Sequence, residues 1–143
     1  MSGDEALEEL IYELQYLRSV VENIQQRVSL IDATLDELRA AISTIEGIVN
    51  EESACSMLVP IGGGSYIRAR LEDSEKLIVG VGADVALEKT VDGAKEDFQS
   101  RILELEKVRV SLQQQASEIS TQMSTIQREA QKMAQARGEA KNV

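Results

Sequence analysis

The stretch that decides the fold is SMLVPIGGGSYIRARLEDSEKLIVGVGADVALEKT, residues 56–90. It holds the only proline of the chain, Pro60, and five of its nine glycines, with short apolar alternations between them. Met57, Val59 and Ile61 alternate in the first run, and Tyr66, Arg68 and Arg70 alternate against Ile67, Ala69 and Leu71 in the second. Leu77, Val79 and Val81 share a third face, Val85 and Leu87 a fourth. A period of two bounded by turn residues marks strands. The separators are Gly62-Gly63-Gly64, Glu72-Asp73-Ser74-Glu75 and Gly82-Ala83-Asp84, and Gly and Asp tolerate the positive φ of tight hairpins. The segment therefore reads as four short strands forming two successive hairpins. So small a sheet is marginal in water and leaves two edges unpaired. The face of Leu77, Val79 and Val81 also needs a cover. Strands from other subunits, closing the sheet into a barrel, supply both. Oligomerisation is expected on these grounds alone.

On the N-terminal side lies the most regular pattern in the sequence. Leu7, Leu10, Leu14, Leu17, Val21, Ile24, Val28, Ile31, Leu35, Leu38, Ile42, Ile45 and Val49 are spaced alternately by three and four. A 3.5-residue period held over so many turns specifies a left-handed coiled coil. On the C-terminal side, Phe98, Leu105, Leu112, Ile119, Ile126 and Met133 recur every seven residues. The alternate seam positions there are Ile102, Arg109, Ala116, Met123, Ala130 and Arg137, two of them charged and two alanine, so this seam is the weaker. Residues 7–49 and 95–137 are equal in length, roughly 65 Å each at about 1.5 Å per residue. Equal seams around a connector predict that the chain folds back on itself, with both termini at one end. The expected fold class is α+β: a long antiparallel intrachain coiled coil with two β-hairpins at the hinge end, which join an oligomeric β-barrel platform. As a single domain over residues 1–143, it divides into a helix over 5–52, hairpins over 56–90 and a helix over 91–139.

Composition narrows the function. Aromatic residues make up 3% of the chain, with no Trp and one Phe, whereas compact cores rely on aromatic area. Long Leu/Ile/Val seams take that role here. The chain has no His, the commonest general base and metal ligand. Its one cysteine, Cys55, cannot form an internal disulfide, which fits a reducing compartment. The acidic N-terminal residues predict no secretory signal, and no apolar run approaches the roughly 20 residues of a membrane span. A soluble, cytoplasmic protein is expected. Net charge is −10, carried mostly by residues 1–56 with 12 acidic and 3 basic side chains. Such a balance repels phosphate backbones and argues against nucleic acid.

Several features resemble catalytic motifs without meeting their requirements. The glycine run 62–64 is followed by a strand pattern, whereas a phosphate loop needs a helix N-terminus after its glycines. Gly80-Val81-Gly82 lacks a third glycine and a helix. The acidic cluster Asp4-Glu5 and Glu8-Glu9 sits on a helix with no cleft to desolvate it. No catalytic residue, cofactor or metal is expected, and the chain is not expected to be an enzyme. The candidate binding residues are at the helix tips, where frayed ends expose the seam: Leu7, Leu10, Ile11, Tyr12 and Leu14 on one helix, Met123, Ile126 and Met133 on the other. Met is flexible and polarisable, suiting surfaces that accept varied partners. Simple closure of the coil is the alternative role for each.

Leu58-Val59-Pro60-Ile61-Gly62-Gly63-Gly64-Ser65-Tyr66 resembles the first hairpin of prefoldin α subunits. Residues 79–90, Val79-Gly80-Val81-Gly82-Ala83-Asp84-Val85-Ala86-Leu87-Glu88-Lys89-Thr90, resemble the second hairpin and its run into the following helix. Two hairpins mark the α class and one the β class, and the chain is most similar to archaeal members. The resemblance implies a hexamer of two α and four β subunits with a double β-barrel platform. It also implies client capture by coiled-coil tips and delivery to a group II chaperonin without nucleotide. On this basis Val59, Ile61, Tyr66, Ile67, Leu71, Leu77, Val79, Val81, Val85 and Leu87 belong to the platform, and the tip residues above touch unfolded clients. The competing reading is a structural coiled-coil scaffold or adaptor with one defined partner; a small hydrolase is a distant third.

Overall fold

The computed structural model describes residues 2–49, 55–72 and 75–141. The elements run α1 (Gly3–Val49), β1 (Ser56–Gly62), β2 (Ser65–Arg70), β3 (Lys76–Gly82), β4 (Val85–Thr90) and α2 (Val91–Lys141). The fold is α+β, with coiled-coil helices and two antiparallel hairpins. α1 begins two residues before the expected boundary at 5, and α2 runs two beyond 139. Residues 50–52, expected to be helical, and Asp73-Ser74 of the second predicted turn lie outside the described residues. The chain forms two compact units, Met1–Ala33 with Glu106–Val143, and Thr34–Leu105.

The first unit is a two-helix coil. Ser2 caps α1: its hydroxyl accepts from the Glu5 amide at 3.3 Å and its carbonyl from the Ala6 amide at 3.1 Å. Asp4 and Glu5 in the first turn complement the helix dipole. The helices run antiparallel, as two cross-helix ion pairs show: Arg109 to Asp32 at 2.6 Å and Arg137 to Asp4 at 3.2 Å. The residue numbers of both pairs add to 141, so one register holds at both places. Of the seam, Ile24 and Leu112 are buried, whereas most other members are half-buried. A two-helix coil covers each seam residue from one side only.

The second unit holds most of the buried apolar residues. Ile45, Val91 and Ala94 form a buried cluster, against which Leu77, Val79 and Phe98 pack. Leu35 and Leu38 are buried along the same helix. Lys95 reaches Glu46 at 3.2 Å, again a pair whose numbers add to 141. β4 passes into α2 without a loop, because Thr90 ends the strand and caps the helix, its hydroxyl accepting from the Gly93 amide at 3.1 Å. A Cβ at Gly93 would meet that hydroxyl at 3.0 Å, which explains a glycine in the first helical turn.

The two hairpins are a structural repeat with a 20-residue offset. β1 and β3 span residues 56–62 and 76–82, and β2 and β4 span 65–70 and 85–90. A base hydrogen bond closes each at 3.0 Å, Leu71 amide to Cys55 carbonyl in one and Val91 amide to Glu75 carbonyl in the other. Register shifts fall at Pro60/Gly62 and at Gly80/Gly82. Gly62 and Gly82 take φ of 104° and 103°, and the two turn residues after each also have positive φ. Such turns favour glycine or asparagine, and the first hairpin supplies Gly63-Gly64. The second uses Ala83 and Asp84 at φ of 52° and 60°. Ala83 therefore carries the cost of a left-handed conformation without a side-chain hydrogen bond in return.

Leu35 is 2% exposed, so Leu35→Ala is expected to destabilise the full-length chain by about 2–4 kcal/mol in denaturant unfolding followed by circular dichroism. Leu103→Ala, at a position 60% exposed, is expected to change stability by no more than about 0.5 kcal/mol. Equal losses at the two positions would show that the seam does not carry the stability.

Candidate functional site

The described residues offer little for covalent chemistry. They contain no group of His, Cys, Asp or Glu able to hold a metal ion and no buried polar or charged side chain. The glycine run 62–64 turns directly into β2, so it is a hairpin turn, not a phosphate cradle. No described helix is long and apolar enough to cross a membrane. What the described residues offer is apolar surface, most of it in two places.

The hairpins carry most of it. Val59, Ile61, Tyr66 and Ile67 on the first are exposed, as are Val81, Val85 and Leu87 on the second. Leu58 and Ile78, equivalent through the 20-residue repeat, are 64% and 82% exposed, and sequence reading overlooked both. The repeat itself was the signal that could have found them. Leu71 is half-buried at the base of the first hairpin. Leu77 and Val79 behave differently from the rest. Their face was expected to need a cover from other subunits, but Ile45, Val91, Ala94 and Phe98 of the helix junction supply it within the chain. The equivalent residues of the first hairpin, Met57 and Val59, belong to no such cluster among the described residues. The sheets each have only two strands, so both hairpins also keep free edges.

The second place is the chain-terminal end of the first unit. Leu7, Leu10 and Leu14 of α1 and Met123, Ile126 and Met133 of α2 are half-buried seam residues. Ile11 and Tyr12 stand off the seam, 45% and 70% exposed. The helices continue to Gly3 and Lys141. A shallow cleft there is lined by Leu7 and Met133 and edged by Asp4 and Arg137, the residues of the terminal ion pair. Arg109 and Arg137, which weaken the apolar seam on paper, instead form register contacts with Asp32 and Asp4. Tyr16, 67% exposed, was also overlooked.

Residues 17–136 match the family model described as Prefoldin subunit. The chain belongs to the prefoldin subunit family. Its relatives include prefoldin subunit alpha 1 of Thermococcus kodakarensis, 38% identical over 98 residues that cover 68% of this chain and 67% of the relative. Prefoldin subunit alpha of Methanococcus vannielii is 32% identical over 133 residues, covering 93% of this chain and 89% of the relative. Among solved structures, a chain in the cryo-EM structure of filamentous PFD from Methanocaldococcus jannaschii aligns with a TM-score of 0.72 at 21% identity, covering 80% of this chain and 95% of that one. The two-helix, two-hairpin fold is thus the prefoldin fold. Prefoldin subunits are non-enzymatic components of oligomeric chaperone complexes, in keeping with a surface rich in apolar side chains and poor in reactive ones.

The Arg109–Asp32 pair makes a prediction about this prefoldin subunit. A polar group at a seam position fixes register at a cost in stability, and both side chains stay more than a third exposed, at 37% and 46%. Asp32→Ala is expected to lower stability by about 1 kcal/mol or less, with the loss shrinking in high salt. Arg109→Leu is expected to raise the unfolding midpoint. Denaturant unfolding of the two variants at low and high salt checks the opposite signs. Two destabilisations of equal size would assign Arg109 to packing alone.

Proposed function

We propose that this prefoldin subunit acts in an ATP-independent holding chaperone. The hairpins join it to prefoldin β subunits in a hexamer of two α and four β, and the helix ends hold unfolded client proteins until a group II chaperonin takes them, in the cytoplasm. The observation that carries the proposal is the exposed apolar surface of both hairpins in a chain of this family. Large exposed apolar patches on a soluble chain mark interaction sites, and open hairpin edges are templates for strand addition. In this account Val59, Ile61, Tyr66, Ile67, Leu71, Val81, Val85 and Leu87 serve assembly, while Leu77 and Val79 anchor the second hairpin to its own helices.

Client contact is assigned to Leu7, Leu10, Ile11, Tyr12 and Leu14 on α1 and to Met123, Ile126 and Met133 on α2. The half-buried seam at this end needs little rearrangement to offer apolar side chains. The flexible thioethers of Met123 and Met133 suit partners of varied shape. Nothing in this role needs a nucleotide, since holding requires reversible burial and not bond cleavage.

Removing residues 1–14 tests the division of labour. The truncated chain is expected to assemble with β subunits to the same mass as the full chain. The complex is expected to lose most of its ability to suppress aggregation of a denatured enzyme in the absence of ATP, measured by light scattering. Undiminished suppression would overturn the assignment of the α1 end, and failed assembly would place that end in the platform.

A further inference from the structure

The outer face of α1 carries a feature that coil packing does not explain. Tyr12 and Tyr16 are two of only four aromatic residues in the chain. They are 70% and 67% exposed. One turn apart, they share a face that lies opposite the Leu7-Leu10-Leu14-Leu17 seam. The outward positions of a coiled coil ordinarily hold charged or polar residues, and tyrosine has no special helix propensity to offer there. An exposed tyrosine pair gains little for the fold, whereas tyrosine is enriched where proteins meet partners.

The charged residues of α1 around the pair are acidic. At about 100° per residue, Glu5, Glu8 and Glu9 fall on the same arc as Tyr12 and Tyr16, and Glu13 flanks it. All four glutamates are exposed. Among the described residues none of the four takes part in an ion pair; the ion-paired carboxylate of this segment is Asp4, with Arg137. The first basic residue of the chain is Arg18. The helix dipole accounts for acidic residues in the first turn but fades beyond it, so it leaves Glu8 and Glu9 unexplained. Aromatic faces with unpaired carboxylates beside them suit one chemistry: a cationic side chain that lays its alkyl stem and charge on the ring while a carboxylate neutralises it.

We propose that the Glu5–Tyr16 outer face of α1 is a docking strip for lysine- and arginine-bearing segments of unfolded polypeptide. The proposal rests on the holding role above and adds a charge preference to it. The strip takes up cationic segments on the outer face, while apolar side chains enter at the seam on the other side of the helix. It also supplies the long-range attraction that brings a basic unfolded chain to an acidic helix.

The test uses the purified full-length chain and two fluorescent unfolded peptides matched in length and apolar content, one bearing Lys and Arg, the other Glu at the same positions. Anisotropy titrations are expected to show the basic peptide bound about tenfold more tightly, equivalent to about 1.4 kcal/mol, with the preference fading in high salt. Tyr12→Ser with Tyr16→Ser is expected to abolish most of that preference, and Glu8→Gln with Glu9→Gln to narrow it. Tyr12→Phe with Tyr16→Phe is expected to retain it, because ring faces and not hydroxyls meet the cation. Circular dichroism is expected to find all variants as helical as the parent. Equal binding of both peptides, untouched by the tyrosine replacements, would overturn the strip and leave the holding role standing. Binding of neither peptide would overturn both. Equally tight capture of a folded basic protein would make the strip a dock for native partners and also overturn the proposal.

Discussion

Apolar side chains on a two-stranded hairpin have too little of their own chain to cover them, and this shortage shapes the molecule. A hairpin of seven and six residues has no interior; each face must find a partner elsewhere or stay wet. The chain solves half of the problem internally. The second hairpin runs straight into α2 through Thr90, which brings Val91, Ala94 and Phe98 beneath Leu77 and Val79. The first hairpin is a 20-residue-shifted copy without a helix starting from its last strand, and Leu58, Val59, Ile61, Tyr66 and Ile67 remain exposed. Such an uncovered hairpin suits a chain of the prefoldin subunit family.

The helices face the opposite demand, since they must pair in one register and no other. An apolar 3.5-residue seam discriminates weakly against a slip by one heptad, because each slip again sets mostly apolar side chains against one another. Ion pairs break that degeneracy. Asp4 with Arg137 and Asp32 with Arg109 in one unit, and Glu46 with Lys95 in the other, all obey a sum of 141. A slip by seven residues would separate every such pair. These contacts are partly exposed, so each contributes little stability; their value lies in selecting among alignments that the seam alone leaves nearly equal in energy.

Much of this was legible in the sequence. Thirteen apolar positions from Leu7 to Val49 marked α1, and glycine-bounded β-alternation marked both hairpins, although the last run, Val85 and Leu87, stops short of the end of β4 at Thr90. The prefoldin resemblance rested on the same stretch. What escaped were relations between distant residues. Arg109 looked like a flaw because its carboxylate partner lies 77 positions away. Leu77 and Val79 looked like surface to be covered by other chains because their cover comes from the helix junction, which periodicity does not reveal. Tyr16 lies on the outward face, where the seam period carries no information, and Leu58 and Ile78 lie on the strand faces opposite the Met57-Val59-Ile61 and Leu77-Val79-Val81 alternations. Local pattern specifies elements; which faces remain free depends on how the elements meet.

The account stands or falls on whether the first hairpin acquires its missing cover from other subunits. Amide hydrogen exchange, read by mass spectrometry on the full-length chain alone and after assembly with a prefoldin β subunit, measures this directly. Residues 56–70 are expected to exchange quickly in the isolated chain and to become strongly protected on assembly, while residues 91–98, already packed at the helix junction, change little. Equal protection of residues 56–70 before and after assembly would contradict the claim that this hairpin is the surface through which the subunit joins its complex.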